Sequence, residues 1–521
     1  MEARVKILKG DPEEMIEENV AEVDETEDPN DRAVTAVDIV ELQNEMKKAW
    51  PKRLANAAKR AMSNPEEHAH AALRCFLNGL SFDDEKKFMP LGIRQRAMLS
   101  AAIVVTDVLP GYKIAKLSEG QMKEKVKKEL KQLRQYEQGL LELFQKYLMR
   151  VEYFIKLYKS PKQLNTMSRT MRRKQANDAE IDVLDYMSDA ARLGMARTAA
   201  KVLSKLAIST MGFNYHENIV EAMVPLINDG DEQITEHVKE GIINLFRNDR
   251  LGDKTLKVVQ TLAGLIRSKG PAKVKAECVE VLSRLKIKKV EQKGGKDEKD
   301  KERAKINRDQ VSRAQNKQRK KEAKLAIEMK ELQASENQQD RLHFNSQTIE
   351  AVFGIYFRIL KSGRNTALLA PVLLGIGQFG HMINLDLIGP MLTLLEQVFS
   401  DGSIPVHSRL KAAKSACSIL SGQGEDLLVD PKHLYQHTYQ LLAKINTRPV
   451  EGVSDPWPIM LELLINLLVD RKAHLNSGRV NAFLHRIIIT AQRVNVEKGP
   501  QSMPFVLPLL LVARQMLVHH R

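Results

Sequence analysis

Apolar residues recur at helical spacing along most of the chain. The longest run is Gln121 to Tyr158, where Val126, Leu130, Leu133, Leu140, Leu141, Phe144, Tyr147, Leu148, Val151, Phe154 and Ile155 fall on one face. Glu137 is the one break in that stripe, and Lys123, Lys127, Lys128, Lys131 and Arg134 lie opposite it. A helix of this length, roughly 57 Å at 1.5 Å per residue, must pack on neighbours along most of its course. Upstream, Ile39, Leu42, Met46 and Trp50 step by three or four, and Leu54, Ala58 and Met62 continue the stripe past Pro51. Asn64-Pro-Glu-Glu67 reads as a stop followed by a new start. Arg94 to Leu109 predicts another helix, ended by Pro110 and Gly111.

Helix pairs of similar size follow from Ile181 to Ile287, with starts near Ile181, Tyr215 and Asp253. Spacings in the mid-thirties lie in the range of helical hairpin repeats, although no residue signature is shared between them. Further helices are predicted over Thr348–Leu360, Leu368–Phe399, Ser408–Leu420, Pro431–Ile445, Ile459–Val469, Val480–Arg493 and Met503–Val518. Gly363, Gly389-Pro390, Gly402, Gly422, Pro456, Pro458, Gly478 and Gly499-Pro500 punctuate the joints. No stretch alternates polar and apolar long enough for a sheet. The pattern predicts an all-α chain, an irregular HEAT-like helical-repeat solenoid in two parts joined by a long basic charged helix.

That joining segment departs from the pattern. Between Lys288 and Lys330 there are sixteen Lys/Arg against eight Asp/Glu, with no Trp, Phe or Tyr. Such a stretch cannot bury a core of its own. It can still be helical, since no proline interrupts it and opposite charges sit three or four apart, as at Asp297 and Lys301 or Asp309 and Arg313. Only Leu325, Met329 and Leu332 offer a stripe that could dock. Four segments result: an acidic, disordered arm over 1–33, a helical-repeat domain over 34–287, a basic helix or linker over 288–340, and a helical domain over 341–521. Within the arm, Asp11 to Asp31 holds eleven acidic residues and no basic one.

Composition supports helix over sheet: aromatics are only 5% of the 521 residues while charged residues are 28%. The net charge of +15 points to a polyanionic partner such as RNA or DNA. The three cysteines, Cys75, Cys278 and Cys417, are far apart and form no C-x-x-C, which fits a reducing compartment and argues against structural zinc or a disulfide framework. Met1 to Glu14 has no apolar core of the kind a signal peptide carries. The longest apolar run, Val506 to Ala513, is too short to span a bilayer, so no membrane partner is expected.

Candidate chemistry is confined to charge. Gly375-Ile-Gly-Gln-Phe-Gly380 has dinucleotide-loop spacing but sits in a helical context with no strand before it, so close helix approach explains it better. No P-loop, zinc-protease or nucleophile-elbow motif occurs. His68 and His70 face different ways on a helix, and no metal set is expected. An enzyme, a cofactor and a small-molecule substrate are therefore not expected. Two basic clusters remain, Arg172-Arg173-Lys174 and the group Arg313, Lys317, Arg319, Lys320, Lys321 and Lys324, each suited to phosphate contact or nuclear import. Without interleaved aromatics they favour the backbone of folded RNA over stacked single strands.

Several motifs together resemble the nucleolar complex protein 3 family. They are Asp107-Val-Leu-Pro-Gly-Tyr-Lys-Ile114, the stretch from Glu124 to Leu141, the basic pair Lys320 and Lys321, Val352-Phe-Gly-Ile-Tyr-Phe-Arg-Ile-Leu-Lys361, and Leu374-Gly-Ile-Gly-Gln-Phe-Gly-His-Met-Ile-Asn-Leu-Asp386. Ser415 to Gly424 with Val429-Asp430 resembles the start of a CCAAT-binding-factor-type domain. Order and spacing agree from about Val37 to Tyr439. The short acidic N-terminal segment and the C-terminus differ from the family, whose members carry a long basic N-terminal extension. The resemblance implies a non-enzymatic assembly factor of the large ribosomal subunit, located in the nucleus and nucleolus. It implies pairing with a nucleolar complex protein 2-like protein and association with pre-ribosomal particles and pre-rRNA. The alternatives are a chromatin or replication-origin factor and a helical-repeat transport adaptor.

Overall fold

The computed structural model describes residues 36–81, 89–115, 128–159, 187–287, 313–363, 366–420, 431–445, 455–470 and 475–519, with backbone alone over 313–337. Among the described residues there are helices and no strand, as the periodicity predicts.

The first unit is a three-helix cluster. α1 (Ala36–Ser63) and α2 (Pro65–Leu80) are separated by Asn64 alone, and α3 (Leu91–Val108) packs on both. Pro65 sits at the first helical position, where its missing N–H costs nothing. Trp50, Leu54, Phe76, Ile93 and Met98 bury their side chains there. α4 (Lys128–Lys159) lies on α2 and on α5 (Asp189–Ser209), and α5 also packs on α3. The start expected near Ile181 lies outside the described residues; α5 itself begins at Asp189, where the Ser188 side chain accepts from the backbone of Ala191. α6 (His216–Met223), α7 (Glu232–Asn248), α8 (Asp253–Lys269) and the short α9 (Glu277–Glu280) follow. α7 begins on Asp231, which accepts from the N–H of Ile234 and pairs with Arg197 of α5 at 2.6 Å. One residue therefore starts α7 and ties it to the preceding layer. The Arg197 guanidinium holds the Asp231 carboxyl below its ordinary range.

α10 (Arg313–Ser362) runs unbroken for 50 residues. The linker end expected at residue 340 thus falls inside a continuous helix. Residues 338–340 are exposed, and from Thr348 onward Val352, Phe353, Ile355, Tyr356, Ile359 and Leu360 are buried. That stripe packs along α8 and against α11 (Thr366–Phe379) and α12 (Leu385–Ser400). The run predicted over Leu368–Phe399 is two helices. It breaks at Gly380, which enters a short 3-10 turn where a Cβ would meet Ile419, in the helix over Val406–Leu420, at 3.1 Å.

α13 (Val406–Leu420) packs on both α11 and α12; α14 (Lys432–Lys444), α15 (Trp457–Ile465), α16 (Ser477–Lys498) and α17 (Met503–His519) complete the stack. Arg493 of α16 donates to the carbonyls of Ala443 and Ile445, so its guanidinium closes the open end of α14. Ser477 to His519 is long and apolar enough to cross a membrane by length and composition only. It folds as two helices, α16 and α17, packed on each other through the turn Gly499–Ser502. Buried apolar residues from Trp50 to Met516 form one connected cluster, in which α8 and α9 meet α10 and α11. Cys75 is half-buried, and Cys278 and Cys417 are buried.

Candidate nucleic-acid interface

The basic group singled out from the sequence lies on the first turns of α10. With helical backbone through this stretch, Arg313, Lys317, Lys320, Lys321 and Lys324 fall at i, i+4, i+7, i+8 and i+11, which is one face. Arg319 falls on the opposite side. Arg172, Arg173 and Lys174 lie outside the described residues. From Arg313 to His343 the helix runs roughly 45 Å at 1.5 Å per residue. The same helix then enters the core with its apolar stripe from Val352 to Leu360.

That packing depends on one glycine. A Cβ at Gly375 of α11 would collide with the buried hydroxyl of Tyr356 on α10. Tyr356 also packs edge-on to Phe353, with ring centroids 6.0 Å apart, and burial pushes its hydroxyl far above the ordinary tyrosine range. On the other side of α11, the carbonyls of Leu373 and Gly377 accept from Ser415 and Ser418 of α13 at 2.9 and 3.0 Å. The Gly-x-Gly spacing is therefore a helix-packing joint. Helix precedes it where a phosphate-binding loop would need a strand. Among the described residues no three His, Cys, Asp or Glu side chains are placed to hold a metal ion.

The Pro-Gly-Tyr stretch after α3 is held from both sides. The Ile114 N–H donates to Asn214 Oδ1 at 2.8 Å, and Asn214 Nδ2 donates back to the Ile114 carbonyl at 2.9 Å. Gln138 donates to the carbonyl of Ala115 at 2.9 Å. Tyr112 donates to Glu137 at 2.6 Å. This accounts for the acid that interrupts the apolar stripe of α4. Gly212 lies so close to the Gly111 carbonyl that a Cβ would come within 2.5 Å of it. An extended segment without a strand partner thus satisfies its backbone through side-chain amides.

A second basic surface does not stand out in the sequence. Between Met46 and Ser63, α1 has six bases and no acid, and Lys47, Lys48, Lys52, Arg53, Lys59 and Arg60 are all exposed. The bases are interspersed with alanines, so they form no run. The one signal of it in the sequence is the lack of any carboxylate over five turns.

The profile of the nucleolar complex-associated protein family matches residues 49–147, the span from α1 to α4. A nucleolar complex protein 3 homologue of Xenopus laevis is 32% identical over 93% of this chain and 59% of its own length. The Homo sapiens homologue is 32% identical over 77% of the chain and 48% of its own length. The chain belongs to the nucleolar complex protein 3 family. A Schizosaccharomyces pombe nucleolar complex-associated protein 3 is 22% identical over 87% of the chain and 61% of its own length. The chain thus spans about half to three-fifths of the curated relatives it matches. Membership places it in the nucleolus and gives it a nucleolar role. The family motifs named above are scaffold in this structure: Ile114 in its amide clamp, Tyr112 on Glu137, and Gly375 against Tyr356.

Proposed function

We propose that this protein is a non-enzymatic assembly factor of the large ribosomal subunit, which lays the basic half of α10 along folded pre-rRNA. The observation carrying this reading is a single 50-residue helix with a basic face at one end and a buried apolar stripe at the other. One continuous helix thus joins a cation-rich stretch to an anchored apolar one. Phosphate neutralisation by Lys and Arg supplies affinity that does not depend on sequence and weakens with salt. The partner is a nucleolar complex protein 2-like protein, taken up by the C-terminal helices. Support for that half comes from α17, whose inner face buries Leu509, Val512 and Met516 while Met503, Leu507, Leu510, Leu511, Leu517 and Val518 stay exposed. An apolar face of this kind on a folded body marks an interaction site.

The test is binding of the full chain to a structured RNA across a salt series. Charge reversal of Lys317, Lys320, Lys321 and Lys324 is expected to weaken binding and flatten its salt dependence. Unchanged affinity and slope would remove the RNA role from α10. Substituting Leu507 and Leu511 by Asp should abolish co-purification of the partner from nuclear lysate while RNA binding persists.

A further inference from the structure

We infer that the outer face of α1 is a second phosphate-binding surface, which takes the backbone of folded RNA. This rests on the RNA reading above and adds a site to it.

The buried stripe of α1, Trp50, Leu54 and Ala61, faces α2 and α3. Opposite it, Lys48, Lys52 and Lys59 lie within about 40° of one another around the helix at 100° per residue. They form a row roughly 16 Å long at 1.5 Å per residue. Arg53 and Arg60, two turns apart, form a second row on the flank. Arg53 is set in place by its guanidinium lying over the Trp50 ring at 5.3 Å. Among the described residues none of these five bases is ion-paired, whereas other surface lysines are, such as Lys257 with Glu221 at 2.6 Å and Lys414 with Glu462 at 2.6 Å. The acids of α1, Asp38, Glu41 and Glu45, are confined to its first third.

Two features favour RNA over a protein partner. Between Met46 and Ser63 the exposed large apolar residue is Met62, at the very end, and the positions separating the bases are mostly alanine and asparagine. A protein interface needs an apolar centre, which this face lacks. A row of unpaired cations on a rigid helix is what a phosphate backbone requires. With no aromatic side chain on the outer face, bases have nothing to stack on, so folded RNA is favoured over a single strand.

The test uses the full chain and an RNA hairpin, followed by fluorescence anisotropy from 50 to 200 mM salt. Four proteins are compared: wild type, Lys48→Gln/Lys52→Gln/Lys59→Gln, Lys317→Gln/Lys320→Gln/Lys321→Gln/Lys324→Gln, and the combination. The α1 triple variant is expected to reduce the slope of log K against log salt by about 2 to 3, since each phosphate left without its lysine removes about 0.7–0.9 from the slope. The same decrement should appear in the α10-variant background. Circular dichroism melts should be unchanged, since all three lysines are exposed. Equal slopes with and without the three lysines, in a wild type that binds, overturn the α1 site and leave the α10 reading standing. A wild type that ignores the hairpin overturns both. If RNA binding survives the triple substitution while capture of a synthetic peptide of residues 11–31 is abolished, the face docks the chain's own acidic segment and the proposal is wrong.

Discussion

The two halves of α10 are one helix with opposite relations to the rest of the molecule. From Thr348 to Leu360 every turn places an apolar residue against α8, α11 or α12. From Arg313 to Lys324 the face carries cations at the same spacing. Isolated helices of this composition are marginal in water, because nucleation is costly and charge pairs contribute only a few tenths of a kcal/mol each. The apolar half supplies the tertiary packing, and the basic half continues a helix already started. Stability and charge can thus be changed separately.

The largest stability effect is expected at the joint. Gly375→Val drives a branched side chain into Tyr356 and should cost about 2–3 kcal/mol, typical of overpacking a closed core. The readout is the urea midpoint. Tyr356→Ala in the same protein should restore part of the stability, and absence of any rescue would mean the two helices meet elsewhere. Asn214→Ala is next, because it strips both backbone groups of Ile114 of their partners, at about 1–3 kcal/mol. Asn214→Asp keeps an acceptor for the N–H but removes the donor, and should fall between alanine and wild type.

A smaller effect is expected with pH. Burial lowers the pKa of His216, whose Nε2–H donates to the Ala207 carbonyl at 2.9 Å and whose Nδ1 is buried without a partner. Burial likewise lowers His407 and His437. A group with a depressed folded pKa binds its proton more readily when unfolded. Its contribution is therefore present above the unfolded value of about 6.5 and is lost as pH falls through the folded value. Denaturant midpoints should drop between pH 7.5 and pH 5, and His216→Gln should flatten part of that slope. The smallest change in stability, within about 0.5 kcal/mol, is expected from neutralising Lys317, Lys320, Lys321 and Lys324. If those substitutions unfold the protein as Gly375→Val does, the contrast between the halves fails.

How much of this was legible in the sequence varied with the cause. Helix positions were, because apolar spacing reflects burial directly: the stripe over Gln121–Tyr158 is α4 wherever the chain is described, and Asn64-Pro65 does separate α1 from α2. The packing role of Gly375 was legible in kind, since the surrounding residues are helical. Its partner, Tyr356, was not, because the two lie several helical turns apart along the chain and only the return of α11 onto α10 brings them together. Glu137 is a flaw in an apolar face until Tyr112 is seen to donate to it. The bases of α1 were visible as letters, but a scan for dense runs of charge passes over cations spaced by alanine.

The joint expected at Gly389-Pro390 falls inside α12, and the chain breaks at Gly380 instead. By itself, then, the chain's order of residues determined the all-α class, the break at Asn64-Pro65 and the polarity of α10. These are local properties, set by backbone sterics and by the spacing of apolar side chains over a few turns. Only the tertiary structure decided that α10 runs unbroken from the charged stretch into the core, that the apolar residues join in one cluster, and that α1 turns its cations outward. Those outcomes depend on which distant surfaces meet, and no window of a few turns contains both partners.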